Sequence, residues 1–182
     1  MIGLLKKNLG KVRQTQATQA IQQEFIDIHC HCLPGFDDGP PGIIQSLKLC
    51  RELEQDGITT VIATPHQLGR YSGCYDAANI RKAVHRLNEN LKNNNITLKV
   101  KPGSDTRIDE RIPELLEADK ILTLADGGKY ILLELPHEIF INIRPLIVQL
   151  FNLGIQAVIS HPERHHSIAR HPAIIFKWFS NW

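Results

Sequence analysis

Phe25-Ile26-Asp27-Ile28-His29-Cys30-His31 is a short apolar run that closes on two histidines. Read as a β-strand over 25–29, it turns His29 and His31 to one side, because side chains on extended backbone alternate between faces. Both imidazoles then reach one cation or two neighbouring ones. The pattern continues outward. A turn-rich stretch over 33–42 leads into an amphipathic helix from about 42 to 55, which Gly57 stops. Beyond it the spacing predicts a strand over 59–63, a helix over 76–91, a strand over 97–100 and a short helix over 113–118. A strand over 130–135, a helix over 143–153 closed by Gly154, and a strand over 155–160 complete the series.

Strand and helix in alternation imply parallel strands joined by crossover helices, hence an α/β layered or barrel architecture. In such folds chemistry collects at the carboxyl ends of the strands. The first expected strand ends in His29 and His31, the second runs into His66, and the third leads to Asp105. The fourth carries Glu134 and the fifth ends at His161. These side chains bind Zn, Mn or Fe through nitrogen and oxygen. Asp38 follows the first pair in a turn, while Asp37 beside it reads either as a further carboxylate of the site or as an Asx turn before Gly39. Any one of these histidines alone is more simply a hydrogen-bonded residue; the joint series points to a metal centre. Glu134, inside an apolar strand, would cost on the order of several kcal/mol as an unpaired buried ion, and a cation removes that cost. His85, His165, His166 and His171 lie outside the series and are expected to be solvated, whereas His137 reads either way.

Composition limits the alternatives. With 182 residues, 42% of them hydrophobic, the chain suits one domain on the usual scale of ~100 to 200 residues. Its 21 Lys and Arg against 19 Asp and Glu lack the strongly basic signature of a nucleic-acid binder. Lys6, Lys7, Lys11 and Arg13 all precede the first acid, Glu24, so residues 1–24 read as a basic, then polar leader ahead of a domain over 25–182. No stretch approaches the ~18 apolar residues of an integral membrane segment, and Lys6 and Lys7 break the one signal-like run. The expected location is cytoplasmic, with Cys30, Cys32, Cys50 and Cys74 as reduced thiols. The sequence argues against a phosphocysteine mechanism, because the positions where a Cys-x5-Arg loop needs arginine hold Phe36, Asp38, Asp56 and Ile80.

Five motifs together carry a resemblance: Asp27-Ile28-His29-Cys30-His31, Leu33-Pro34-Gly35-Phe36-Asp37-Asp38-Gly39-Pro40, Ala63-Thr64-Pro65-His66, Leu132-Leu133-Glu134 and Ser160-His161-Pro162-Glu163-Arg164. In order and spacing the sequence resembles the bacterial PHP-domain tyrosine-protein phosphatases, manganese-dependent enzymes of capsular and extracellular polysaccharide synthesis. The resemblance implies a distorted (β/α)7 barrel around as many as three metal ions. It implies His29, His31, Asp38, His66, Asp105, Glu134 and His161 as ligands, with Mn2+ in first place and Fe or Zn as alternatives. It also implies His161 and Arg164 as catalytic residues, with Arg164, and more weakly Arg70, holding the phosphate through a planar guanidinium fork. The implied reaction is metal-assisted hydrolysis of phosphotyrosine on a protein partner, a bacterial tyrosine autokinase; homo-oligomerisation stays open.

Three departures from the family pattern stand out. Asp105 occupies a position where related sequences often carry Glu, so its carboxylate reaches less far. Cys30 and Cys32 flank His31 and are expected to pack behind the metal face. No Asp-x-His motif follows His161, and only five strands are expected where a complete barrel takes ~200 residues or more. The barrel is therefore expected to be incomplete at its C-terminus, as in a truncated reading frame, with an exposed sheet edge that Phe176, Trp178, Phe179 and Trp182 partly cover. Two competing readings remain: a phosphoesterase for a small metabolite such as histidinol phosphate, and an inactive fragment.

Overall fold

The computed structural model describes residues 24–180. The expected leader, apart from Glu24, and the covering role of Trp182 lie outside the described residues. Among the described residues there are seven strand segments. They are β1 (Phe25–Cys30), β2 (Ile58–Ala63), β3 (His66–Gln67), β4 (Lys99–Pro102), β5 (Asp105–Arg107), β6 (Tyr130–Glu134) and β7 (Gln156–Ser160), with helices after β1, β3, β5, β6 and β7. All pair in parallel, in two sheets of order β1-β2-β4 and β3-β5-β6-β7. The helices are α1 (Ile43–Gln55), α2 (Ala77–Asn93), α3 (Ile112–Glu117), α4 (Arg144–Asn152), α5 (His166–Arg170) and α6 (Ala173–Phe179).

The five expected strands are present as β1, β2, β4, β6 and β7, the third two residues later than expected, and two of them run on past a break as the short β3 and β5. The physical reason is a pair of sheet breaks. β3 continues β2 past Thr64-Pro65, and β5 continues β4 past Gly103-Ser104. Pro65 has no N–H for a ladder. Pairing nevertheless runs on: Thr64 N–H donates to Cys30 O at 2.9 Å, and Asp105 N–H donates to Pro65 O at 3.1 Å. Gly103 permits the second break, since a Cβ there would meet Ile62 Cγ2 at 2.7 Å. Each break re-aims the chain at the point where a polar side chain, His66 or Asp105, is delivered.

Side-chain alternation sorts the strands into two faces. On the outer face Val61 and Ala63 pack with α1 and α2 residues such as Cys50, Ile80 and Leu87. Ile131 and Leu133 pack with Ile112, Ile147, Leu150, Ile168 and Trp178 in a second outer layer. α2 starts cleanly because Asp76 and Asn79 form a capping box. On the inner face Ile62, Leu132 and partly buried Val158 meet Leu124, so strands from both sheets converge there and the whole array is curled. Period two then carries the inner face from Leu132 to Glu134 and from Val158 to Ser160, so an apolar floor gives way to a polar rim at the carboxyl ends.

The curl brings the first and last strand tips together: the rings of His29 and His161 lie 4.8 Å apart. Among the described residues β1 pairs on one side only, and Phe25, Ile26 and Ile28 are each about half exposed. At the C-terminus Trp178 is buried and Phe179 packs against the same outer layer, whereas Phe176 is exposed. Trp178 Nε1 donates to Asn142 Oδ1 at 3.1 Å, which anchors α6 over the loop before α4.

Candidate metal centre

The polar rim gathers the side chains that the sequence singles out. His29 Nε2 and His31 Nε2 face each other at 3.3 Å. His29 Nε2 also lies 3.4 Å from Asp105 Oδ2, and His66 Nδ1 lies 3.6 Å from that oxygen and 3.5 Å from Glu134 Oε2. Three overlapping groups could each hold an ion, their ligand atoms within 4.8 Å of one another: His31, Asp37, Asp38 and His66; His29, His31 and Asp105; His66, Asp105 and Glu134. His31, His66 and Asp105 each belong to two of the groups and link the cluster.

Unsatisfied polarity tests the fit of a cation. His66 Nδ1 and Asp105 Oδ1 are buried and meet no hydrogen-bond partner. Buried polar atoms in native proteins are nearly always partnered, and a desolvated carboxylate without a counter-charge is costly. Two imidazole nitrogens at 3.3 Å can share a single proton or face a cation, never present two lone pairs comfortably. Nitrogen and oxygen donors in this mix suit Mn, Fe or Zn. The donor set fits a divalent ion.

Asp37 supplies what the sequence left open. Its Oδ1 accepts from Gly39 N–H at 3.1 Å, which is the Asx turn. Its Oδ2 meets His31 Nδ1 at 2.8 Å and accepts from His66 N–H at 2.7 Å. One buried carboxylate therefore fixes the turn, orients the His31 ring so that Nε2 faces the cluster, and ties β3 to it. Burial alone would raise the Asp37 pKa, but the bonds from His31 and His66 outweigh it and hold the carboxyl below its usual range. Burial likewise opposes charge on His31, and Asp37 and Asp38 more than compensate, raising that imidazole. Asp38 is more exposed, with Oδ1 3.2 Å from His31 Nδ1. Gly39 is required here, because a Cβ would meet His31 O at 2.9 Å.

The β7 side is looser. His161 has left-handed backbone (φ 41°, ψ 50°), uncommon for a residue with a side chain, and its Nδ1 lies 3.0 Å from Glu163 Oε1. Its ring neighbours His29, yet His161 belongs to none of the three ligand groups. Arg164 is exposed and borders the same cavity of about 420 Å3, as do Arg70 and His137. Arg70 holds its guanidinium 4.7 Å from the Tyr71 ring centre.

Two further side chains at the rim escaped the sequence reading. Ser160 Oγ is buried without a partner and borders the cavity, two residues beyond inner-facing Val158. Arg107 stands opposite Glu134 in the β5–β6 register and meets Glu134 Oε1 at 3.2 Å and Leu135 O at 3.2 Å. The alternation that found His31 two residues after His29 would also have found Arg107 two after Asp105. His165, expected to be solvated, is a correction: it is buried, accepts from Ser167 and Ile168 N–H at the start of α5, and contacts Ile139 O. Unpaired helix N–H groups draw in that ring. His85, His166 and His171 are exposed as expected. Cys32 is fully buried and Cys30 packs partly buried against the same outer cluster, which also holds Cys50.

The chain is similar to known proteins along most of its length. Residues 25–178 match the family described as capsular polysaccharide synthesis, CpsB/CapC. The chain is 38% identical over 158 residues to tyrosine-protein phosphatase YwqE of Bacillus subtilis, covering 84% of this chain and 59% of that protein. It is 30% identical over 147 residues to tyrosine-protein phosphatase CpsB of Streptococcus pneumoniae, covering 79% and 59%. A crystallised chain from work on YwqE and CpsB, described there as metal-dependent tyrosine phosphatases, superposes with TM-score 0.79 at 36% identity, over 85% of this chain and 62% of that one. The chain thus spans about three-fifths of the length of these relatives.

Proposed function

Because the chain belongs to the CpsB/CapC family of capsular polysaccharide synthesis, we propose that its rim of His and carboxylate side chains hydrolyses phosphotyrosine in proteins with the help of bound metal ions. The observation that carries this reading is the convergence of His29, His31, His66, Asp105 and Glu134 around the buried, partnerless atoms His66 Nδ1 and Asp105 Oδ1. These five, with Asp38, would hold up to three ions, Mn2+ foremost with Fe or Zn as alternatives, while His161, outside the three ligand groups, is left for proton transfer. Divalent ions bound there would acidify water and neutralise charge on the phosphoryl group.

The chain's own residues supply the rest. Arg164, exposed and only loosely paired with Glu163, donates to the phosphate, and Arg70 borders the same cavity. Glu163 holds His161 Nδ1, which fixes the ring and leaves Nε2 to hand a proton to the departing oxygen. A phenol of pKa ~10 leaves more readily than an alkyl alcohol, so modest proton donation suffices.

The architecture fits the parallel, curled core of a PHP-type distorted (β/α)7 barrel, with residues 25–182 as the phosphoesterase domain. Among the described residues no helix is long and apolar enough to cross a membrane. Four free thiols suit a reducing cytoplasm, where the partner is a bacterial tyrosine autokinase of capsule or exopolysaccharide synthesis. Turnover of a phosphotyrosine peptide and of histidinol phosphate with added Mn2+ tests the reading. Faster turnover of the peptide, abolished in His29→Ala, is expected; preference for histidinol phosphate would replace the substrate, and no Mn2+-dependent turnover of either would overturn the proposal.

A further inference from the structure

The cavity around the candidate ligands is lined by charged and polar side chains throughout. It suits a phosphate and two or three cations. It offers no apolar wall to the group that the phosphate leaves behind, and an aromatic ring placed in it would strip water from charged groups without repayment.

A second cavity, of about 540 Å3, opens directly beside it. The two share His66, Arg70, Glu134 and His137 as a common wall. Away from that wall the second cavity becomes mixed: Leu68, Tyr71, Pro136 and Ile139 give it apolar surface, beside Gly69, Arg107 and Glu138. The Gly69–Tyr71 turn forms one side and the loop after β6 forms the other.

Its walls are held in place. The Tyr71 ring lies parallel to His66 at 5.4 Å, and the Arg70 guanidinium sits over it. Gly69, with φ of +54°, packs so closely on the Arg107 stem that a Cβ would come within 2.9 Å of Arg107 Cγ. Arg107 is fastened in turn to Glu134 and Leu135 O. On the far side, the Ile139 carbonyl meets the buried His165, while its side chain stays largely exposed. A preformed, partly apolar recess beside a polar reaction centre is the usual form of a small-molecule subsite.

We propose that this recess receives the aromatic ring of an aryl phosphate, so that the chain favours phosphotyrosine over alkyl phosphates through Leu68, Tyr71, Pro136 and Ile139. The inference rests on the phosphatase reading above and adds its specificity element. The recess exceeds the volume of one phenyl ring, so backbone flanking the phosphotyrosine enters past exposed Ile139.

Calorimetric titration of the Mn2+-loaded chain with three probes tests it: inorganic phosphate, propylphosphonate, and benzylphosphonate, in which CH2 replaces the ester oxygen. Benzylphosphonate is expected to bind about tenfold more tightly than propylphosphonate, the gain from burying a ring edge and face. That ratio is expected to fall to near one in Ile139→Glu, and to persist in Ile44→Glu on α1, which is exposed and lines neither cavity. Ile139 is 65% exposed, so the substitution leaves the core untouched. A wild-type ratio near one, or a ratio unchanged in Ile139→Glu, would overturn the subsite while phosphate binding still upheld the phosphatase reading. Failure of inorganic phosphate to bind would instead remove that reading, and the subsite with it.

Discussion

The two sides of the candidate centre are built differently. On the β1–β6 side most ligand atoms come from strand tips with largely buried side chains, 17% exposed for His29, 14% for His66 and 2% for Asp105, with Asp38 in the turn after β1 the exposed member at 60%. Asp37, at 1%, braces His31 and His66 together. On the β7 side His161 is 38% exposed, Glu163 67% and Arg164 58%, on a single 3-10 turn entered through a left-handed residue. Regular backbone and buried second partners hold the half that concentrates charge; a short exposed turn carries the half proposed to meet the substrate. Preorganisation is greatest where ions must displace water and least where a protein ligand must enter and leave.

That contrast orders the expected effects of substitution. Asp105→Asn removes the charge shared by two of the three ligand groups while keeping the shape, and is expected to lower Mn2+-dependent kcat/KM by about 10³-fold and to reduce bound metal. Elemental analysis beside kinetics checks it; full metal content with full activity would place the ions elsewhere. Arg164→Ala is expected to cost about 10²-fold in kcat/KM at unchanged metal content, since the guanidinium meets phosphate and no ligand. A parallel loss of metal would assign Arg164 to the braced half instead.

Asp37→Ala sharpens the comparison from the other direction. It touches no substrate, yet it should weaken Mn2+ binding by about 10- to 100-fold, as loss of an orienting partner does. Glu163→Gln, the corresponding change on the looser side, is expected to lower kcat less than about tenfold and to leave metal affinity alone, because a neutral amide still holds His161. Equal effects of these two substitutions on metal affinity would erase the distinction. Smallest of all, Arg81→Ala removes the fork between Asp119 and Asp126, far from the rim. It should lower the melting temperature by about 3 °C or less with no kinetic change, since the groups are solvent-accessible.

The same contrast explains what the amino-acid sequence revealed. β1, β2, β6 and β7, with α1, α2 and α4, follow from apolar periodicity, and inner-facing His29, His31 and Glu134 follow from alternation along those strands. β3 and β5 have two and three residues, too short for any period to register, and exist because neighbouring strands pair with them. The placement of His66 and Asp105 at their first positions depends on the two sheet breaks, which Pro65 and Gly103 signal only in hindsight. Asp37 looked like an Asx turn and is one; its second role depends on His66 arriving from 29 residues away. α5 and α6 are short, and the buried His165 at the head of α5 breaks the rule that histidines outside the series face water.

Anomalous X-ray scattering from Mn2+-soaked crystals of this chain, recorded at the manganese edge, addresses the centre itself. The account predicts peaks within coordinating distance of His29 and His31 Nε2, the carboxylates of Asp105 and Glu134, and His66 Nδ1. Density confined to surface carboxylates such as Asp109 or Glu110, with the rim side chains paired only to one another, would contradict it.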